Sequence, residues 1–172
     1  MHIKIIENKL ENSINKGIVD VITLGCSKNL VDSEQLMRQF DVLGYTVRHD
    51  AENPDGDIVI INTCGFIGDA KEESINTILQ FADLRKQQKI QKLFVMGCLS
   101  ERYLKELRSE MPEVDKFYGK FNYNDILTDL GQDYRADLRL ERTLTTPNHY
   151  AYIKISEGCN RTCSYCAIPI IT

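Results

Sequence analysis

Long apolar runs are missing from this sequence of 172 residues. No stretch approaches the roughly 18 apolar residues that a membrane-spanning helix needs, so we expect no membrane segment. Residues 1–16 mix charged side chains with short apolar pieces and lack the continuous apolar stretch of a secretory signal. Six cysteines without such a leader indicate the reducing cytoplasm, where disulfides are rare.

An excess of positive charge is missing as well. The 21 lysines and arginines are outnumbered by 25 aspartates and glutamates, which gives a net charge of −4. A broadly basic surface is therefore not expected, and we expect no nucleic-acid partner for this domain, although a local basic patch is compatible with this balance. The shares of hydrophobic (42%) and charged (27%) residues are typical of a globular protein.

Strand and helix patterns alternate along the chain. Short apolar segments predict five strands, at residues 21–24, 45–49, 58–61, 93–96 and 114–118. Helical patterns lie between and after them, with Asp32 or Ser33 as the predicted cap of the first helix and Ser100 as that of the third. This alternation predicts an α/β fold with a mostly parallel five-stranded sheet, helices on both faces and a flavodoxin-like order 2-1-3-4-5.

The same pattern suggests how the chain is divided. Residues 1–18 are predicted to be an N-terminal extension, and residues 19–130 the α/β domain. Residues 131–149 are polar, contain a proline and are predicted to be a linker. Residues 150–172 are predicted to begin a second domain, with a first strand at 150–155.

Three cysteines stand at equivalent places in the predicted sheet. Cys26, Cys64 and Cys98 follow the first, third and fourth strands, and each has a glycine beside it, which allows a tight turn or a close approach. The carboxyl ends of neighbouring parallel strands border one crevice, so these thiols are predicted to meet and to hold a metal cluster. Core packing of small buried side chains, or a redox pair, is the alternative.

The other three cysteines form a compact run with the spacing C-x3-C-x2-C, made of Cys159, Cys163 and Cys166. Three thiolates hold three corners of a cubic iron–sulfur cluster and leave the fourth iron open to a small molecule, because full protein ligation takes four cysteines. A structural zinc site usually adds a second cysteine pair, which is not found nearby. Zinc, a disulfide or idle thiols remain alternatives.

An α/β domain with three dispersed cysteines followed by C-x3-C-x2-C resembles the radical S-adenosylmethionine (SAM) methylthiotransferase family, over Val21 to Thr172. The resemblance implies two 4Fe–4S clusters and SAM as cofactors, and no catalytic residue in this chain beyond the cluster ligands. The implied ligands are Cys26, Cys64 and Cys98 for an auxiliary cluster and Cys159, Cys163 and Cys166 for the SAM-binding cluster, with Tyr165 near the SAM adenine.

The text around the first two cysteines, at residues 25–34 and 62–67, resembles one branch of that family. This branch modifies the β-carbon of an aspartate in small-subunit ribosomal protein S-twelve. The resemblance implies that SAM is cleaved to a 5′-deoxyadenosyl radical, that the auxiliary cluster supplies the methylated sulfur, and that flavodoxin or ferredoxin supplies electrons. A sibling that modifies adenosine in transfer RNA is one alternative.

Another alternative is a flavodoxin-like module that binds flavin or a corrinoid without catalysis, but no glycine-rich phosphate loop follows the first strand. A complete (β/α) barrel needs on the order of 200 residues, and only about twenty follow the predicted linker. We therefore expect a fragment that is inactive alone, in which the loop of Cys159 to Cys166 is exposed and weakly packed.

Overall fold

A five-stranded sheet organises the structure, a computed structural model that describes residues 16–120 and 122–171. The strands are β1 (Ile18–Thr23), β2 (Thr46–His49), β3 (Ile58–Thr63), β4 (Lys92–Gly97) and β5 (Lys116–Phe117). They pair in the order β2-β1-β3-β4-β5, and every pair is parallel. The predicted flavodoxin-like order is therefore confirmed. Most of the predicted N-terminal extension, residues 1–18, lies outside the described residues.

Helices cover both faces of the sheet. They are α1 (Ser27–Val42), α2 (Gly68–Lys86), α3 (Cys98–Glu110), α4 (Tyr123–Asp129) and α5 (Ile168–Ile171), with one 3-10 turn at Ala136–Leu138. Among the described residues, no helix is both long and apolar enough to cross a membrane.

Two predicted helix starts were wrong, and the correction bears on the site. The cap positions are Cys26 for α1 and Gly97 for α3. Asp32, Ser33 and Ser100 lie inside these helices and are buried. Short polar side chains are common caps, but Ser33 instead accepts hydrogen bonds from Thr23 and Asn62. A cysteine therefore lies at the N-terminus of each helix, Cys26 as the cap of α1 and Cys98 as the first residue of α3.

The central strand β3 is buried along its length, and its residues 58–61 are apolar because they contribute to a core on each face. Ile58 and Ile60 pack with α1 and α4, whereas Val59 and Ile61 pack with α2 and α3. Adjacent side chains of a strand point to opposite faces, so one continuous run serves both cores. Each fully buried isoleucine contributes about 1.5–3 kcal/mol to folding.

The segment after α4 departs from the sequence prediction in one respect. Residues 150–155 form no strand in the structure, so the predicted first strand of a second domain is wrong for this chain. A strand depends on hydrogen bonds to a neighbouring strand, and none of the five strands in the described residues pairs with this segment. Residues 135–145 instead run along α1, where Gln39, Arg38 and Glu34 contact them.

Candidate functional site

A cavity of about 950 Å³ opens at the carboxyl edge of the sheet, between β1, β3 and β4. Cys26, Cys64 and Cys98 all line it. Cys64 is buried, Cys98 is half-buried and Cys26 is exposed. The parallel topology thus brings together three thiols that are 38 and 34 residues apart in sequence.

Two glycines allow the strand ends to approach one another. Gly25 has a φ of +91°, and a Cβ at this position would lie 2.5 Å from the Cβ of Cys64. Gly97 has a φ of +102°, and a Cβ there would lie 2.6 Å from the carbonyl oxygen of Thr63. Only glycine combines this backbone conformation with such close contacts, as predicted from its position beside the cysteines.

The buried side-chain amide of Asn29 connects the ends of β1, β3 and β4 through hydrogen bonds. Its Nδ2 donates to the carbonyl oxygens of Leu24 (2.9 Å) and Thr63 (3.0 Å). Its Oδ1 lies 3.7 Å from the Sγ of Cys98, which donates to it. Sequence reasoning assigned Asn29 no role. Its position in the first turn after a capping cysteine was the available signal, because short polar side chains often satisfy backbone groups there.

Charges of both signs surround the cavity. The N-termini of α1 and α3, the positive ends of the helix dipoles, lie at Cys26 and Cys98. Burial raises the pKa of Cys98, and the nearby charge of Lys120 works against that rise. Lys28 also lines the cavity, as do the carboxylates of Asp69 and Glu73.

The second set of thiols lies in a loop at the surface. Cys159 and Cys163 are exposed, Cys166 is half-buried, and the backbone N–H of Cys166 donates to the carbonyl of Cys163 (3.1 Å). Tyr165 is 92% exposed. The expected exposure of this loop is confirmed, and neither its cysteines nor Tyr165 line the cavity.

The stretch just before this loop does reach the cavity, through Glu157. Its Oε1 lies 2.6 Å from the Nζ of Lys120, and its Oε2 lies 2.9 Å from the Nζ of Lys154. Burial works to raise the pKa of Glu157, but the hydrogen bonds from the two lysines outweigh it and lower that pKa to about 2. Glu157 is therefore ionised across the physiological range.

Within residues 16–120 and 122–171, no group of three or more His, Cys, Asp or Glu side chains is arranged so that it could hold a metal ion. A cluster needs its thiolates farther apart than one ion does, because iron and sulfide fill the space between them. Cys26, Cys64 and Cys98 share the lining of one cavity with Lys28 and Lys120.

Comparisons with known proteins agree with this geometry. Residues 18–119, more than half of the chain, match a model described as "Uncharacterized protein family UPF0004". A protein of Bacteroides thetaiotaomicron named "Ribosomal protein uS12 methylthiotransferase RimO" is 71% identical over 90% of this chain and 35% of its own length.

A relative with the same name in Bacteroides fragilis is 71% identical over 92% of this chain and 37% of its own length. Another, in Flavobacterium psychrophilum, is 54% identical over 92% of this chain and 36% of its own length. The chain thus spans just over a third of the length of these relatives.

Proposed function

This chain belongs to the family described as Uncharacterized protein family UPF0004, and we propose that it is part of a radical-SAM methylthiotransferase that acts on ribosomal protein uS12. One observation carries the proposal: Cys26, Cys64 and Cys98 line a single cavity at the carboxyl edge of the sheet. The names of the similar proteins supply the substrate. The reaction would take place in the cytoplasm, on an aspartate of that protein.

In this proposal, Cys26, Cys64 and Cys98 hold the auxiliary 4Fe–4S cluster. The positive ends of the α1 and α3 helix dipoles lie at Cys26 and Cys98, and Lys120 adds a positive charge beside Cys98, which would stabilise the thiolate ligands of a bound cluster. Asn29 fixes the separation of the strand ends through its two carbonyl contacts. The chain's own residues therefore set the shape and charge of the cavity before any cluster is bound.

Cys159, Cys163 and Cys166 would hold the second 4Fe–4S cluster, with one iron left for SAM and Tyr165 beside its adenine. Bound clusters and SAM supply radical chemistry at an unactivated carbon, which no side chain performs alone. A flavodoxin or ferredoxin would supply the electrons.

Anaerobic reconstitution with iron and sulfide tests the two sets of ligands. The chain should bind about eight irons, and replacing either set of three cysteines by serine should leave about four, with the Mössbauer signature of 4Fe–4S clusters. Loss of all iron in one triple variant would show that the six thiols serve a single site. Unchanged iron in the Cys26, Cys64 and Cys98 variant would refute the auxiliary site.

The substrate is tested in cells that lack the full-length gene. Mass spectrometry should show that ribosomal protein uS12 loses its methylthio increment while transfer RNA adenosines keep theirs. The opposite result would assign the protein to the transfer RNA branch and leave the two-cluster proposal intact.

A further inference from the structure

A network of partly buried charges lies between the cavity and the loop of Cys159 to Cys166, and the proposed function does not explain it. The central pair is Lys120 and Glu157, with Nζ and Oε1 2.6 Å apart. Lys120 is only 4% exposed. A buried ion pair of this kind is not a strong source of stability, because desolvation offsets most of its attraction. Its effect is instead to fix the positions of Lys120 and Glu157 relative to each other.

Further contacts connect this ion pair to the two helices whose N-termini lie at the cavity cysteines. The backbone N–H of Lys120 donates to Glu101 Oε2 (2.9 Å), in the first turn of α3, the helix that begins at Cys98. A second ion pair joins Lys154 to Asp32, in α1, the helix capped by Cys26. The stretch from Lys154 to Glu157 is therefore fastened to both helices.

The cysteine loop begins immediately afterwards. Only Gly158 separates Glu157 from Cys159, and its φ of +74° turns the chain. Two residues span at most about 7 Å, so the first thiol of the loop cannot move far while Glu157 stays bound. The ion pair thus limits the distance between the exposed loop and the cavity.

We propose that Lys120 and Glu157 are positioning residues that hold the Cys159–Cys166 loop beside the cavity of Cys26, Cys64 and Cys98, so that two bound clusters would face each other. This inference rests on the proposed function, in which sulfur must pass from one centre to a substrate activated at the other. It requires no contact of either residue with a cluster.

Cross-linking of the reduced, metal-free chain with bismaleimidoethane tests the inference, and mass spectrometry sorts the links. Links between the two sets of thiols should fall about fivefold in Lys120→Met, relative to links within each set, because about 1 kcal/mol of coupling is lost. Lys120→Arg should keep them. Lys28→Met is the matched control, since its Nζ lies 3.9 Å from the same carboxylate and its side chain is 45% exposed.

Unchanged links between the sets in a folded Lys120→Met chain would overturn the inference. If that variant fails to fold by circular dichroism, Glu157→Gln is judged by the same criterion. Because no metal is present, the result is independent of iron content. A failed reconstitution would refute the proposed function and leave the positioning result standing.

Discussion

Buried polar side chains, more than apolar ones, determine the geometry at the residue scale. Asn29 donates to two strand-end carbonyls, and Asn62 Nδ2 donates to the backbone carbonyl of Asn29 (2.9 Å) and to Ser33 (3.0 Å). Buried groups of this kind are costly to leave unpaired, so each bond restrains its neighbours. The hydrogen bonds of Asn29 and Asn62 therefore determine the shape of the cavity.

Replacing Asn29 by alanine should therefore destabilise the fold by about 2–4 kcal/mol, because it leaves the carbonyls of Leu24 and Thr63 without their donor. Urea unfolding followed by circular dichroism measures the loss. Lys105→Ala, at an exposed site on α3, is the control and should stay within about 0.5 kcal/mol of the parent. Equal stability of the two variants would contradict the role given to Asn29.

Gly97 should tolerate no side chain. Gly97→Ala combines a positive φ with contacts at 2.5 Å to Asn62 Oδ1 and 2.6 Å to the Thr63 carbonyl, and should cost about 2–5 kcal/mol. Gly68→Ala is the matched control, because nothing lies within 4 Å of its added Cβ. We expect Gly68→Ala to be neutral or slightly stabilising in the same unfolding experiment; a comparable loss there would argue against the steric explanation.

At the scale of elements, α1 contacts both the cavity and the segment that follows α4. Cys26 caps the N-terminus of this helix. The segment predicted to be a linker packs along its outer face. Glu34, buried in α1, accepts hydrogen bonds from the backbone N–H (2.9 Å) and hydroxyl (3.1 Å) of Thr145, and Arg142 lies 3.3 Å away. The segment is thus attached along the helix that positions the first cavity thiol.

Glu34→Ala should release this segment while the sheet stays intact. Trypsin should then cleave after Arg139 or Arg142 at least several times faster, because the bonds to Thr145 and Arg142 are lost. The exposed Glu72→Ala gives the background rate. Cleavage at the parent rate in Glu34→Ala would show that other contacts suffice to hold the segment.

Asp115 links β4 to α2 and should make stability depend on pH. Its Oδ2 accepts from the backbone N–H of Leu93 and from Arg85 Nε, both at 2.8 Å. Burial works to raise the pKa of Asp115, but these hydrogen bonds outweigh it and lower that pKa below its usual value. The carboxylate's contribution is therefore complete above about pH 4 and is lost as the pH falls through the lower folded pKa.

Asp115→Asn should cost about 2 kcal/mol at pH 7, and the difference from the parent should shrink below pH 4, where the parent loses the same ionised contact. Urea unfolding of both proteins at several pH values between 7 and 2 measures it. A difference that stays constant over this range would show that ionisation of Asp115 contributes nothing.

At the scale of the whole molecule, the parts that the sequence predicts are those encoded locally. The β-branched run at Ile58–Ile61 identifies a buried strand by itself, and parallel topology then places Cys26, Cys64 and Cys98 at one edge. Lys120 and Glu157 are 37 residues apart and look like surface charges, so their pairing requires the folded structure. The prediction of a strand at 150–155 was wrong because strand propensity is a local property and does not show whether a neighbouring strand is present to pair with it.

The position of the two apolar cores has a consequence for the life of the protein in a cell. They lie on the two faces of the sheet, and within residues 16–120 and 122–171 neither includes a cysteine. We therefore expect folding to be independent of metal, unlike that of a zinc finger, and the metal-free chain should unfold in one cooperative thermal transition. If the proposed clusters are lost to oxygen, the chain should keep its fold and be able to bind new clusters instead of being degraded.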